Sequence, residues 1–222
     1  MRRIMIGTPS YDGTVGVHFS FSLAETVRAG MLVGIHIQPV FMAYDALIQR
    51  ARNDLVLLAL ENGFDDLMFI DGDQEWKPEW VLKVLSHQVD CVGGAVRKKS
   101  DVESYNVKAA SADIAVDAKT GLMSVAGLGT GFLRLTKAAM LVLWESSEEY
   151  RDDAGKRNRW MFDVRPVDGR LVGEDIFMSQ KLRDAGIPVW LDPTITCSHI
   201  GVKKWDGDFS AWLNGLQQGE KS

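Results

Sequence analysis

Two cysteines in 222 residues leave no material for a disulfide framework. Cys91 and Cys197 are flanked by apolar or small residues and read as buried thiols. Long hydrophobic runs are missing too: none approaches the ~18–20 residues that a membrane-spanning helix needs. The start, MRRIMIGTPSYDG, carries two arginines, but its apolar stretch breaks at Gly7 and Pro9. That is too early for a secretory signal, so a cytoplasmic protein is expected. Nor is there an excess of basic charge. The formal net charge of −5 argues against a broad nucleic-acid-binding surface, while leaving room for a local basic patch. No repeat or low-complexity segment is present. What remains is an ordinary globular composition, long enough for one large domain and cramped for two.

Apolar periodicity divides the chain in two. RRIMIGTP reads as a buried strand entering a loop. VHFSFSLAETVRAG places Phe21, Leu23, Ala24 and Val27 at helical spacing, with Gly30 just past the end. VGIHIQPVFM is a second strand, and Pro39 suggests an edge or a bulge. DALIQRARNDLVLLALENG is the strongest helix, capped by Asp45, apolar along Leu47, Ile48, Ala51, Leu55, Leu58 and Ala59, and ended by Gly63. DLMFIDGD has no polar position between Leu67 and Asp71 and must be covered on both faces, as a central parallel strand is. KPEWVLKVLSHQ is a helix with proline in its first turn, and VDCVGGAV is a fourth strand. This alternation is the doubly wound α/β pattern.

The second half differs. Residues 105–137 read as short antiparallel strands with glycine turns. AAMLVLWESSEEYRDD reads as helix, AGKRNRW as a polar loop and EDIFMSQKLRDAG as an amphipathic helix. IPVWLDPTITCSHIG reads as a final strand pair, and the tail from residue 206 ends in polar residues that fray.

Two Asp-x-Asp pairs occur, and such a pair alone means little. Asp206 and Asp208 follow no strand and read as turn formers. Asp71 and Asp73 directly follow the most apolar strand, at the carboxyl end where open α/β sheets bind ligands. Two carboxylates there need a cation or donors to offset their repulsion, and their hard oxygens suit Mg²⁺ or Mn²⁺.

The segments IGTPSYDG, ARNDLVLLALENGFDDLMFIDGDQEWKPEWV, VGGAVRKK, GLGTGFLRL, GEDIFMSQKLRDAGIPVWLDP and CSHIG occur in an order similar to that of nucleotide-sugar glycosyltransferases of the GT-A fold. The likeness is to small single-domain members of viruses and phages, related to the family 2 type. It spans about residues 4 to 201.

The resemblance implies an α/β GT-A fold: a Rossmann-like, mostly parallel sheet flanked by helices, with a smaller antiparallel acceptor-side subsheet. It implies one domain over 1–222, with a nucleotide-sugar-binding half (1–100), an acceptor-side half (101–205) and a C-terminal tail (206–222). The implied activity is metal-dependent transfer of one sugar, with inversion, from a nucleotide-sugar (a UDP-sugar favoured) to an acceptor hydroxyl. Asp73 and His199 would hold Mn²⁺ or Mg²⁺, with Asp71 near the ribose and the metal. Thr8, Pro9 and Tyr11 would form the base loop, and Arg52 and Asn53 would face the nucleotide. Gly93 and Gly94 would let backbone approach the sugar, and Arg97 and Lys98 would meet phosphate. Of the catalytic pair Asp175 and Glu174, Asp175 would be the base and Glu174 would hold the acceptor, although the sequence does not say which carboxylate points inward; Gly129 and Gly131 would lie on the strand flooring the acceptor site.

The QxxRW signature of family 2 is absent, which favours single-sugar transfer over processive synthesis. Acceptor classes left open are a glycan, a polysaccharide, a protein or modified DNA; a viral or phage member would work in the host cytoplasm. Three other functions fit the residues less well. A sugar nucleotidyltransferase needs a basic, glycine-rich first loop, which GTPSYDGTVG lacks. A haloacid-dehalogenase-type phosphatase carries its pair after the first strand, not the third. A non-catalytic nucleotide-sugar-binding module would need no acceptor-side base.

Overall fold

The computed structural model describes residues 1–110, 115–152 and 154–219. The first half runs β1 (Arg3–Ser10), α1 (Val17–Leu32), β2 (His36–Ala43), α2 (Ile48–Glu61), β3 (Asp66–Ile70), β4 (Gln74–Glu75), α3 (Pro78–Ser86) and β5 (Cys91–Val96). The second runs β6 (Val107–Ala109), β7 (Met123–Leu128), β8 (Phe132–Thr136), α4 (Lys137–Glu145), β9 (Glu149–Arg151), β10 (Arg157–Arg159), β11 (Arg165–Val167) and β12 (Arg170–Val172). It ends with α5 (Glu174–Asp184), β13 (Val189–Ile200), β14 (Lys204–Trp205) and α6 (Phe209–Gly219).

The main sheet has the order β2-β1-β3-β8-β5-β13-β7-β6. Strands β2, β1 and β3 are mutually parallel, as are β5 and β13, while β8 runs antiparallel between β3 and β5. The protein is therefore an α/β molecule with a mostly parallel central sheet flanked by helices. Its antiparallel strands partly enter that sheet and partly form two small hairpins, β9–β10 and β11–β12.

Strand β3 is buried along its whole length, and side-chain alternation divides it between two cores. Leu67 and Phe69 join Met5, Leu55, Leu133, Met178 and Leu182 on one face. Met68 and Ile70 join Ile4, Ile6, Phe19, Val81 and Phe132 on the other. The carboxyl end of this rigid strand releases the chain at Asp71. As expected, Pro78 opens α3, β2 lies at the sheet edge, Gly63 adopts φ 66° beyond α2, and both cysteines are buried.

Several readings of elements need correction. Helix α1 turns Phe19, Ser22, Thr26 and Gly30 inward and leaves Phe21 70% exposed. It docks by hydrogen bonds as well as by apolar contact. Ser22 Oγ donates to the Trp76 carbonyl at 2.8 Å, and Trp76 Nε1 donates to Thr26 Oγ1 at 2.9 Å. Gly30 lies inside α1 rather than past its end, where the helix passes so close to Ile37 that a side chain would press into it. Asp45 stands before the N-cap, which is Leu47; it accepts the Leu47 amide at 2.8 Å and pairs with Arg50. The expected helix past Glu145 and the loop before Trp160 instead supply β9 and β10, and the expected final strand pair is the single strand β13. That strand shifts register between Asp192 and Thr196, where Pro193 has no amide hydrogen to give. Residues 111–114 of the expected strand run and residues 220–222 of the tail lie outside the described residues. Among the described residues, no helix is long and apolar enough to cross a membrane.

Candidate functional site

The sheet brings Asp71, Asp73 and His199 together from distant parts of the chain. Asp71 leaves β3 with its amide donating to the Gly131 carbonyl at 3.2 Å. Asp73 follows a tight turn, after which β4 pairs with the far end of β13, placing Gln74 opposite His199. The register extension of β13 is what carries His199 to this edge.

Asp73 Oδ2 lies 2.9 Å from His199 Nε2 and accepts Lys99 Nζ at 2.6 Å, while Asp73 Oδ1 accepts Gln74 Nε2 at 3.1 Å. Burial alone would raise the Asp73 pKa, but the His199 and Lys99 contacts outweigh it and hold the carboxyl far below its ordinary range. His199 Nδ1 lies 2.9 Å from the Arg97 carbonyl oxygen, which can only accept, so Nδ1 carries the hydrogen. Nε2 is thus aimed at a carboxylate, and a second proton or a metal ion must reconcile the two. An imidazole fixed through its far nitrogen is the usual setting of a metal-ligating histidine. Among the described residues, no three metal-ligating side chains gather. The chain offers the hard carboxylate oxygen of Asp73 and the borderline imidazole nitrogen of His199, a pair that suits Mn²⁺ better than Mg²⁺, with the remaining ligands left to phosphate oxygens and water.

Arg52 of α2 is 4% exposed and lies between two carboxylates. Its Nη2 donates to Asp71 Oδ1 at 3.2 Å, and its Nε is 3.5 Å from Glu174 Oε1. Nε and Nη1 make no hydrogen bond, and Thr8 Oγ1 and Gln74 Oε1 are also buried without a partner. Burial raises the Glu174 pKa; Arg52 opposes that, and the charges of Asp175 and Asp71 add to it. Asp175, next on α5, accepts its neighbour's amide from Ile176 on Oδ1 and Asn106 Nδ2 on Oδ2 at 2.9 Å.

Two clefts share Asp71 and His199. The first, about 500 Å³, lies among Pro9, Tyr11, Asp45, Asp71, Asp73 and His199. Tyr11 forms its rim and is 75% exposed; Thr8 is buried beneath Gly72. The second, about 300 Å³, is lined by Asp71, Gln74, Lys98, Lys99, Asn106 and His199. Many residues singled out in the sequence therefore gather at or beside these clefts, but some serve the structure instead. Gly93 and Gly94 line neither cleft: side chains there would collide with the Phe132 carbonyl and with Ile195, so these glycines serve strand packing. Asn53 points into the core and accepts the Met161 and Phe162 amides, both at 3.0 Å. The Arg97 guanidinium is also spent on structure, donating to the carbonyls of Lys98, Ser100, Val102 and Ser104. Lys99 and Asn106 were missed. Lys99 was hidden in a basic triplet, and Asn106 has no local signal.

The second Asp pair is structural. Asp206 accepts Ser198 Oγ at 2.6 Å and pairs with Lys204, and Asp208 accepts the Ala211 amide in the first turn of α6.

Among solved structures, A197 from STIV matches with a TM-score of 0.58 at 17% identity, over 90% of this chain and 86% of that one. The chain shares that protein's fold. A glycosyltransferase involved in glycosylation of the major capsid of PBCV-1 matches at 11% identity and TM-score 0.36, over 64% of this chain and 65% of that one. The inositol-1-phosphate CTP transferase from T. maritima matches at 10% identity and TM-score 0.43, over 88% and 85%. No protein-family model and no curated protein matches the chain.

Proposed function

We propose that the protein is a metal-dependent GT-A-type glycosyltransferase that moves one sugar from a nucleotide-sugar, UDP-linked by preference, to an acceptor hydroxyl with inversion. The observation that carries this reading is the pairing of Asp73 with a His199 whose Nδ1 is fixed by the Arg97 carbonyl. Asp73 and His199 would hold the cation, whose charge would offset the negative charge that develops on the departing diphosphate. Tyr11, at the rim of the larger cleft, would stack on the base. Asp71, held by Arg52, would accept a ribose hydroxyl. Lys98 borders the smaller cleft, where phosphate would meet it.

In this reading the acceptor oxygen attacks the anomeric carbon, the bond from that carbon to the diphosphate breaks, and the acceptor proton passes to a carboxylate. Asp175 is the base, because its Oδ2 meets Asn106, a residue lining the same cleft as Asp71 and His199. Glu174 is turned to Arg52 and sets the guanidinium against Asp71.

A thermal-shift screen of UDP-, GDP- and TDP-sugars with and without Mn²⁺ tests the proposal, since specific binding stabilises the fold by mass action. One donor class should raise Tm only when Mn²⁺ is present. Equal stabilisation in EDTA would remove the metal from the reading. Formation of a nucleotide-sugar from a nucleoside triphosphate and a sugar 1-phosphate, with release of pyrophosphate, would turn it to nucleotidyl transfer, although loop residues 11–16 hold no cation for a triphosphate.

A further inference from the structure

The same carboxylate oxygen serves two cationic partners. Asp73 Oδ2 accepts Lys99 Nζ at 2.6 Å and faces His199 Nε2 at 2.9 Å. A divalent ion seated between Asp73 and His199 would take a lone pair of Oδ2, the oxygen that faces Nε2, and would then share that oxygen with an ammonium group. Two cations on one carboxylate oxygen repel at short range in a partly desolvated site. Lys99 is not trapped in this position. Its side chain is 38% exposed, and its stem runs past Gly201, where a side chain would touch it. The backbone below is fixed instead: Arg97 ties the carbonyls of 98, 100, 102 and 104 into a compact curl, so the lysine can swing while its anchor stays. Lys99 also borders the smaller cleft, on the side of Asp71 and His199 where a diphosphate would lie.

We propose that Lys99 is a resident counterion of the metal position: it neutralises Asp73 when no metal is bound, is displaced by the incoming cation, and then turns to the diphosphate. This rests on the metal-dependent reading above and adds a sequence of charge exchange to it. Metal alone must compete with Lys99, whereas metal arriving with a diphosphate gives the displaced ammonium a new anion to meet. The site therefore discriminates against free cation and favours the cation–diphosphate pair, without any further ligand.

The signature is an opposite effect of one substitution on two affinities. Lys99→Met keeps the length of the stem and removes the charge; Lys99→Arg keeps the charge. Mn²⁺ alone is titrated into each protein by electron paramagnetic resonance of the free ion, and UDP is then titrated by calorimetry at saturating Mn²⁺. Lys99→Met should bind Mn²⁺ about tenfold more tightly than wild type, on the scale of one charge–charge contact at a partly exposed site. It should bind UDP with Mn²⁺ several-fold more weakly, and Lys99→Arg should stay near wild type in both titrations. Equal Mn²⁺ affinity of wild type and Lys99→Met would overturn the displacement. Unchanged UDP affinity in Lys99→Met would overturn the turn toward the diphosphate. Failure of wild type and Lys99→Met alike to bind Mn²⁺ would overturn the metal reading itself, and the counterion role with it.

Discussion

Asp73 is held ionised by its two partners, and the sign of that effect sets a pH dependence. Its folded pKa is depressed relative to about 3.9 for an unfolded aspartate, so the stability it contributes is present above that range. It is lost as pH falls through the unfolded value toward the folded one. The Tm difference between wild type and Asp73→Asn should be present at about pH 5 and close as pH falls below about 4. A difference undiminished at about pH 2 would contradict the ion pairs with Lys99 and His199. Asp175 makes a different kind of prediction. Asp175→Asn keeps the shape of the side chain but loses basicity, so kcat should fall at least ~10²-fold with donor affinity nearly intact. Glu174→Gln should chiefly weaken donor binding, through a loosened Arg52; a larger kcat loss there than in Asp175→Asn would reassign the base. At the cleft rim, Tyr11→Ala should weaken nucleotide binding by about 1–3 kcal/mol in a calorimetric titration if its ring stacks on a base. Unchanged affinity would leave Tyr11 as a surface residue.

At the scale of elements, the legible parts were those whose physics is local. An unbroken apolar run announced β3, Pro78 announced the start of α3, and the run 174–184 announced α5. The position of Asp71 and Asp73 followed from β3 alone. Elements fixed by distant partners were not legible. The inward face of α1 depends on the indole and carbonyl of Trp76, fifty residues away in sequence from Thr26. Strand β13 stays one strand because β5, β7, β4 and β14 pair with successive parts of it, despite Pro193. Asn53 belongs to this class as well: a polar residue on α2 suggested a ligand, yet its oxygen holds the chain leaving β10. Asn53→Ala would strand the buried Met161 and Phe162 amides, and should cost roughly 2–4 kcal/mol in denaturant unfolding. Loss below ~1 kcal/mol would mean that the segment finds other acceptors.

Over the whole molecule, charge is placed at two ends of one strand. At the carboxyl end of β3 lie Asp71 and the clefts; at its start lies Asp66, fully buried, gripped by Arg2 at 2.7 Å and 3.7 Å from Arg134 Nε. Arg134 is 1% exposed and donates to the carbonyls of Val84, His87 and Val89, so it pins the end of α3 beneath the sheet. Leucine-rich surroundings gave no hint of this arginine's role, because only the insertion of β8 between β3 and β5 brings it there.

That insertion bears on how the chain becomes ordered as it is made. Leu135 of β8 sits opposite Leu67 of β3 on one side and Cys91 of β5 on the other, so β3 and β5 have no hydrogen bonds to each other. A ribosome that has released the first hundred residues has released the group β2-β1-β3 and the lone strand β5, with the seam between them missing. At about 5–20 residues per second, the seam arrives seconds later, and β13 later still. During that interval the edges of β3 and β5 are open templates for pairing with another chain. A fragment of residues 1–100 should therefore show no cooperative melting and should aggregate. In pulse-labelled hydrogen exchange of the refolding full chain, the amides of β3, β5 and β8 should become protected in one phase. Early protection of β3 and β5, ahead of β8, would show that the two parts hold together without their seam.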